Sequence, residues 1–561
     1  MLRPRPIGSP YRGPKMTTRV SMVAVSLVAL VAGACSDSLT AKNYNNPDVE
    51  RVFQQPASIE QTLGTGYQQC RNTDKTSDMT AQMATMSFES YSQLGNFNMG
   101  LRGAIPRSPI LNNKSAQQSL NGNFGGWSRQ GRLQANAMKQ LDVLIKANGQ
   151  ALATKAADLR ARSMGFFNIG CNLGWLALTF DSAGIIDHIM ASDFVPELSS
   201  YQDVMAAAIA NLDSSVAMAS TAGSDGTGGF PTNAGWFSGT TLSKDRFIQL
   251  VRSYRARFRA GVARTPAERA AVNWAAVAAD ADAGLTADLT VVVGATSGWN
   301  LGVQASTFYQ DAGWSQITPF IFGFADVSGG YDTWLSTNMI QRNGDFLIVT
   351  PDLRFPQGST RAAQQAASPE PGSFTGFPYM KNRSGPGSPG DPWGTSFYEH
   401  HRLKYIRNNS STGSYPEFLK AEVDLLGAEA YLRLGDIPKA LAKINPWRTR
   451  AGLPALTGTS ATDIVPGGAS CVPRVPSPPN YTTTSCGTLL EAMKWEKRME
   501  LAYNYTGAWF FDSRGWGDLV KDTPLQYPVP VPELDARLKG YYNLGGGGPS
   551  SAGVSTYRFG Q

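Results

Sequence analysis

Histidine and cysteine are scarce in this chain of 561 residues, which has only three histidines and five cysteines. The sequence contains no CxxC, HxxxH or HExxH spacing of the kind that holds a metal ion. The adjacent His400 and His401 cannot both face one ion from a strand without distortion. The sequence therefore predicts no metal site.

Signatures of catalysis are also missing. There is no GxSxG, no P-loop and no Rossmann glycine triplet between a strand and a helix. Glu422 and Glu429 could be read as paired carboxylates for sugar hydrolysis. They lie two turns apart on one predicted helix, however, which is too far for a retaining pair. We interpret them as structural residues and expect neither enzymatic activity nor a cofactor.

The chain has no basic block and, after its N-terminal segment, no run of eighteen apolar residues. Its formal charge of +7 includes five cations before residue 20, in a stretch without acids, so the remainder is near +2. A nearly neutral chain lacks the electrostatic footprint of a nucleic-acid-binding protein. Membrane attachment is therefore expected only through lipid.

The N-terminal segment is typical of a lipoprotein signal. Arg19 supplies positive charge, Met22–Leu30 is an apolar run too short to span a bilayer, and small residues lead to Cys35. This pattern resembles a lipobox, although Ala32 stands where Leu is commoner. We expect residues 1–34 to be a signal peptide, with Met16 as the true start, and Cys35 to be lipidated; an ordinary secretory signal is the alternative.

Four cysteines remain after Cys35, and an exported chain meets an oxidising compartment. Cys471 and Cys486 bracket a Pro/Ser/Thr loop and are the natural local pair. Cys70 and Cys171 would then form a long-range disulfide. A zinc site is the competing reading.

Helical periodicity dominates the chain outside residues 299–398. The clearest unit is Glu417–Ile444, where an apolar stripe recurs at three- and four-residue steps; Gly435 is the expected C-cap and Asp436 the next N-cap. The unit resembles a tetratricopeptide helix pair, which cannot bury its own apolar face. Further helices are predicted over residues 133–147, 151–180, 201–219, 244–260, 266–285 and 491–503.

Residues 299–398 contain seventeen Phe, Trp and Tyr and lack helical period, whereas aromatics make up 10% of the whole chain. Sugars stack their apolar C–H faces on such rings. Gly-rich, polar surroundings favour partial exposure of five candidate ligand-binding residues: Trp299, Trp314, Tyr331, Trp334 and Trp393. The alternative is that each ring pins its loop to the core.

Four stretches together resemble the SusD/RagB family of nutrient-binding surface lipoproteins: Asn43–Tyr67, Lys155–Gly184, Phe418–Pro454 and Trp495–Pro532. The strongest contains AEVDLLGAEAYLRLGD followed by INPWRTRAGLP. One departure is Gly515 where the family has an arginine before the tryptophan, here Trp516.

The resemblance implies a mainly α fold, with a tetratricopeptide-like helix-pair superhelix and a loop-rich, aromatic-rich second lobe. Residues 35–561 would be one SusD-like domain, with scaffold at about 56–298 and 415–520 and the lobe at about 299–414. The implied partner is a TonB-dependent outer-membrane barrel (SusC-like).

The resemblance implies a lipid-anchored, surface-exposed outer-membrane protein that binds oligosaccharide or another oligomeric nutrient and passes it to that barrel without catalysis. A peptide-binding tetratricopeptide-like scaffold is the first alternative, and a hydrolase is the second.

Overall fold

The structure, a computed structural model, describes residues 55–75, 78–111, 120–191, 194–223, 227–299, 315–384, 396–546 and 555–560, with Phe53 and Gly394. The described residues from Pro56 onward belong to one compact unit. Most of its regular structure is helical, as the sequence predicts.

The first part of the scaffold consists of helices α1 to α9 and four short strands. The helices are α1 Pro56–Lys75, α2 Asp78–Met86, α3 Met99–Gly103, α4 Leu120–Asn148, α5 Lys155–Thr179, α6 Tyr201–Thr221, α7 Lys244–Gly261, α8 Pro266–Ala270 and α9 Trp274–Asp282. The strands are β1 Ile110–Leu111, β2 Ser182–Gly184, β3 Leu198–Ser200 and β4 Leu289–Val293. Strands β2 and β3 pair antiparallel.

Three of the long helices begin where a hydroxyl side chain caps them. Thr154, Ser200 and Ser243 precede α5, α6 and α7, and each accepts a hydrogen bond from the backbone N–H three residues later. Helix α5 packs against α4 and α6. Gly174 of α5 permits a close helix contact, because a Cβ there would lie 2.1 Å from the Phe258 ring.

The predicted helix over residues 266–285 is two helices in the structure. Helix α8 ends at Ala270, and the Asn273 side chain then accepts a hydrogen bond from Ala276 N–H (3.0 Å) to cap α9. Asparagine competes for backbone hydrogen bonds in this way, which makes it a better cap than an interior residue.

The loop-rich lobe contains short helices and three strands. They are α10 Pro319–Phe322, α11 Gly330–Ser336, α12 Arg361–Ala366, α13 Lys404–Arg407, β5 Met380–Asn382, β6 Tyr398–His400 and β7 Gly413–Phe418. Strand β5 pairs with β6, and β7 returns to pair with β4 of the scaffold, both antiparallel.

The scaffold resumes with α14 Lys420–Leu434, α15 Ile437–Arg450, β8 Arg474–Pro476, β9 Thr484–Cys486, α16 Leu489–Leu501 and α17 Ala508–Trp516, and the chain continues into α18 Val531–Ala536 and β10 Asn543–Leu544. Gly435 ends α14 with φ 79°, and Asp436 caps α15, as predicted. The apolar stripe of α14 is buried against α9, α15 and α16. Strands β8 and β9 form a hairpin, and β10 pairs with β1.

Buried ion pairs fasten the lobe to the scaffold. Arg354 of the lobe lies 2.7 Å from Asp352 Oδ2 and 2.8 Å from Glu496 Oε2 on α16, and Arg448 on α15 lies 3.2 Å from Glu496 Oε1. None of these side chains is exposed to solvent. Each charge is therefore offset by a partner, which a buried charge requires.

Candidate functional site

The carboxylates considered as catalytic candidates are engaged in buried ion pairs. Both oxygens of Glu422 lie 2.6 Å from Arg257, and Glu429 Oε1 lies 2.9 Å from Arg269 Nε. Burial alone would raise the pKa of the Glu429 carboxyl, but the Arg269 guanidinium outweighs it and lowers the pKa below its ordinary value. A carboxyl held ionised and sealed from solvent is a poor general acid.

Glu496 is enclosed in the core as Glu429 is, but the pKa of its carboxyl is shifted in the opposite direction. Burial raises the pKa of its carboxyl, and the guanidiniums of Arg354 and Arg448 reverse this only in part. A raised pKa is a feature of catalytic acids. Both Glu496 oxygens nevertheless face arginines within the core, so a substrate has no path to them.

The two adjacent histidines point to different surroundings. The His400 ring centroid lies 4.0 Å from that of Tyr503, whereas His401 Nε2 lies 2.9 Å from the Pro378 carbonyl oxygen. Burial lowers the pKa of both, to about 4 for His401, so both rings are neutral. Within the described ranges no group of three or more His, Cys, Asp or Glu could hold a metal ion.

Trp299 is 1% exposed, so its predicted partial exposure is wrong. Two residues of α1 cover it: Tyr67, whose ring centroid is 5.9 Å away, and Arg71, whose guanidinium lies 5.5 Å from the ring centre. Glycines and polar residues next to a tryptophan in the sequence do not predict whether a helix from a distant part of the chain buries its ring.

Tyr331 and Trp334 are also buried, at 1% and 3% exposure, so partial exposure is wrong for them as well. Both belong to α11, their rings are stacked with centroids 5.6 Å apart, and the Tyr331 hydroxyl donates to Phe320 O at 2.6 Å. One helical turn brings residues three apart to the same face. These rings hold α11 on the lobe and offer no open face to a ligand.

Three other predicted site residues, Cys35, Trp314 and Trp393, lie outside the described residues.

The structure joins Cys471 to Cys486 across the β8–β9 hairpin, and it leaves Cys70 and Cys171 as free, buried thiols. The predicted long-range disulfide is therefore not formed in it. Burial raises the pKa of both thiols well above the ordinary value. This suppresses the thiolate through which disulfides form.

An open cleft lies next to the predicted aromatic residues. We call it the Tyr481 cleft; it has a volume of about 440 Å³ and is formed by the segment after α11, the loop of the β8–β9 hairpin and the C-terminal segment. Its polar lining includes Asn338, Arg342, Asn480, Tyr481, Thr482 and Arg558. Carboxamides, guanidiniums and hydroxyls around a half-buried ring can bind a polar molecule that has an apolar face.

The hairpin side of the cleft presents Tyr481. Its φ of 57° lies in the left-handed region, and its backbone N–H donates to Ser477 O at 2.9 Å. Arg558 reaches over it from the C-terminal segment, 4.8 Å from the ring centre. A bulky residue held in this backbone conformation costs about 1–3 kcal/mol, which is a pointer to a functional position.

On the lobe side of the cleft, the Trp334 ring supports the side chain of Arg342. The Arg342 guanidinium lies 4.5 Å from the Trp334 ring centre, and its Nε and Nη2 donate to Thr337 O and Leu335 O at 3.0 and 2.9 Å. Its Nη1 has no partner among the described residues. Trp334 therefore positions a donor at the cleft although its own ring is covered.

A hydrogen bond connects the hairpin to the lobe, and a disulfide closes the hairpin loop. Thr484 N–H donates to Asp332 Oδ1 of α11 at 2.9 Å, and the Cys471–Cys486 disulfide closes the loop that contains Asn480 and Tyr481. Sequence reasoning missed these cleft residues. The available signal was the pair of cysteines around a polar loop, which marks a constrained surface segment.

In the described part of the chain, each helix is too short or too polar to cross a bilayer.

Comparison with known proteins gives one family and one fold. A family model described as "SusD family" matches residues 331–547. No curated protein is matched. A SusD superfamily protein from Bacteroides vulgatus is 14% identical, with TM-score 0.50 over 83% of this chain and 89% of that chain. A SusD homolog from Bacteroides thetaiotaomicron is 14% identical, with TM-score 0.52 over 85% and 89%.

Proposed function

The chain belongs to the SusD family, and from this premise we propose that it binds an oligosaccharide or another oligomeric nutrient without turnover. Lipid on Cys35 anchors it to the outer membrane, at the cell surface, and it delivers its cargo to a TonB-dependent, SusC-like barrel. The Tyr481 cleft is the observation on which this proposal rests, since it combines an accessible tyrosine with side-chain donors on three separate segments.

The chemistry of the cleft suits a sugar better than a free ion. A pyranose ring presents C–H groups that pack on an aromatic face and hydroxyls that both donate and accept hydrogen bonds. Asn338 and Asn480 can do both, whereas Arg342 and Arg558 only donate. Two of the three segments, around residues 338 and 481, fall within the matched range 331–547.

The absence of turnover is supported by the carboxylates. Hydrolysis of a glycosidic bond needs two carboxyl groups flanking it, one of them able to donate a proton. Glu422, Glu429 and Glu496 are instead buried against arginines. Among the residues that the structure describes, none of those lining the Tyr481 cleft is Asp or Glu.

Calorimetry with a panel of neutral oligosaccharides tests the binding proposal. We expect Tyr481→Ala and Asn338→Ala to weaken binding by about tenfold, since each removes a contact worth about 1–1.5 kcal/mol. Tyr541→Ala is the control, because Tyr541 is 52% exposed and lies outside the cleft. Unchanged affinity in both cleft variants would show that the ligand binds elsewhere. The appearance of hydrolysis products on prolonged incubation would support the alternative that the protein is a hydrolase.

Peptide binding remains the alternative because of a second groove on the scaffold. It has a volume of about 760 Å³ between α6 and α7–α8, with Met205, Ile209, Val262 and Val272 among its apolar residues. An amphipathic peptide helix would fit such a groove. A peptide panel in the same calorimeter, with Ile209→Glu as the variant, distinguishes the two cargoes.

The anchor and the partner are tested on intact cells. Metabolic labelling with a clickable fatty acid should mark the wild-type protein and not Cys35→Ala. Affinity purification from detergent-solubilised membranes should recover a large β-barrel with the wild-type protein. Unlabelled wild-type protein in the cytosol would contradict the lipid anchor on Cys35. An eluate without a β-barrel would contradict delivery of cargo to a transporter.

A further inference from the structure

A second polar cleft lies on the scaffold and shares no lining residue with the Tyr481 cleft. We call it the arginine cleft; its volume is about 560 Å³, and it lies between α4, the segment around β2 and α18. Its described lining contains three arginines, Arg129 and Arg132 from α4 and Arg537 just after α18, together with one carboxylate, Glu533. Three guanidiniums and one carboxylate give the cleft an excess of positive charge.

Hydrogen bonds orient the three guanidiniums, and those of Arg129 and Arg537 keep nitrogens that can still donate. Arg129 Nε donates to Gly125 O at 3.0 Å, and Arg132 Nη1 donates to Phe194 O at 2.7 Å. In the part of the chain that is described, both terminal nitrogens of Arg129 lack a partner. An arginine oriented through one nitrogen loses less entropy when its others bind an anion.

Arg537 is held from two sides. Its Nε donates to Glu533 Oε1 at 2.7 Å and its Nη1 donates to Pro196 O at 2.6 Å, while Nη2 has no partner among the described residues. A Cβ on Gly184 would lie 3.6 Å from Nη2 and only 2.8 Å from Pro196 Cγ. A larger residue at position 184 would therefore press on the wall beside this guanidinium.

Apart from the hydroxyl of Ser128, the side chains of the remaining described lining are apolar. Phe124 and Ile186 are buried at 1% and 6% exposure, and Val195 at the rim is 60% exposed. A volume of this size accommodates a monosaccharide-sized ligand or larger. Guanidinium forks match the paired oxygens of carboxylates and sulfates, and the apolar wall can pack against C–H groups.

We propose that the arginine cleft is a binding site for an anionic sugar unit, that is, a sugar ring bearing a carboxylate or a sulfate. This goes beyond binding of neutral glycan at the Tyr481 cleft. Arg129, which is exposed, and Arg537 provide the free donors, and Glu533 holds Arg537 in place rather than contacting the ligand.

The test compares D-glucuronate, D-glucose 6-sulfate and D-glucose by saturation-transfer NMR and calorimetry at low ionic strength. We expect the two anions to bind and glucose not to bind at this cleft. Arg129→Gln should weaken anion binding by about tenfold or more, since it removes a charged hydrogen-bond donor. Added salt should weaken it further.

Arg558→Gln is the matched control, because it removes an arginine from the Tyr481 cleft and should leave anion binding unchanged. Arg537→Gln is the second variant and should act like Arg129→Gln. Preference for the carboxylate or for the sulfate would each support the site and identify its ligand. Equal binding of glucose and the anions, or unchanged binding in both Arg129→Gln and Arg537→Gln, would overturn it, whatever happens at the Tyr481 cleft.

Discussion

Arg269 Nε lies 2.9 Å from Glu429 Oε1, and neither side chain has any surface exposed to solvent. The pair joins α8 to α14, and Arg269 also lies 3.0 Å from Asp512 of α17. Gly515, one turn after Asp512, makes room for it: a Cβ there would lie 3.0 Å from Arg269 Cδ. A side chain at position 515 would therefore press on Arg269 and on the Ala263 carbonyl oxygen.

Removing one member of this pair should destabilise the scaffold strongly. We expect Glu429→Gln to lower the free energy of unfolding by about 3–5 kcal/mol, because Arg269 would keep a buried charge with less compensation. Urea unfolding measures the loss. Arg162→Gln, which breaks the partly exposed Arg162–Asp142 pair, should cost at most about 1 kcal/mol. Equal losses in the two variants would show that burial of the Arg269–Glu429 pair is energetically unimportant.

Trp334 and Tyr481 should have opposite phenotypes. Trp334→Ala is expected to lower the free energy of unfolding by about 3–5 kcal/mol, since it empties a packed site in the lobe. Tyr481→Ala should leave stability nearly unchanged and reduce affinity for oligosaccharide. Thermal unfolding and calorimetry on both variants decide this. Loss of affinity with full stability in Trp334→Ala would mean that the ring contacts ligand after all.

The buried histidines should make the protein sensitive to moderate acid. Burial lowers the pKa of His401 from 6.5 to about 4, so the folded state binds fewer protons than the unfolded state between these values. The stability is present in full above pH 6.5 and is lost progressively as the pH falls from 6.5 through about 4. For His401 this loss amounts to about 3 kcal/mol of the free energy of unfolding.

His401→Gln tests this assignment. The glutamine amide can still donate to the Pro378 carbonyl, but it does not titrate. We expect the wild-type protein to lose stability more steeply than the variant when urea unfolding is repeated between pH 8 and pH 4. Parallel pH profiles would assign the acid sensitivity to other groups.

The Cys471–Cys486 disulfide should support both stability and binding. Closing a loop of 15 residues contributes about 3 kcal/mol in the chain-entropy model. Replacing both cysteines by serine should therefore lower the free energy of unfolding by about this amount. It should also weaken oligosaccharide binding, since Asn480 and Tyr481 lie within the loop. A reducing agent should lower the stability and affinity of the wild-type protein and leave those of the double variant unchanged. Full affinity in the double variant would show that the loop binds ligand without the disulfide.

Helix positions were largely predictable because their signals are local. Gly435 and Asp436 end one helix and begin the next in the structure, as the sequence predicts. The prediction was wrong at residues 271–273, where the periodicity continues but the Asn273 side chain caps a new helix. Periodicity reports which face of a helix is apolar and does not weigh one side chain that competes for the backbone.

Burial of the aromatic residues was not predictable in the same way. Trp299 and Trp334 have polar, Gly-rich neighbours in the sequence, yet α1 covers the first and the lobe covers the second. The Tyr481 cleft draws its lining from segments near residues 338, 481 and 558, which are far apart in the chain. Only the fold brings them together.

The sequence by itself determined the helical class, the caps, the local disulfide and the family resemblance, because each depends on residues close together in the chain or on a short matched stretch. The tertiary structure alone decided which carboxylates are neutralised, which aromatics are covered and where two polar clefts open. Those outcomes depend on burial and on charges brought together from distant segments, and neither is encoded in local spacing.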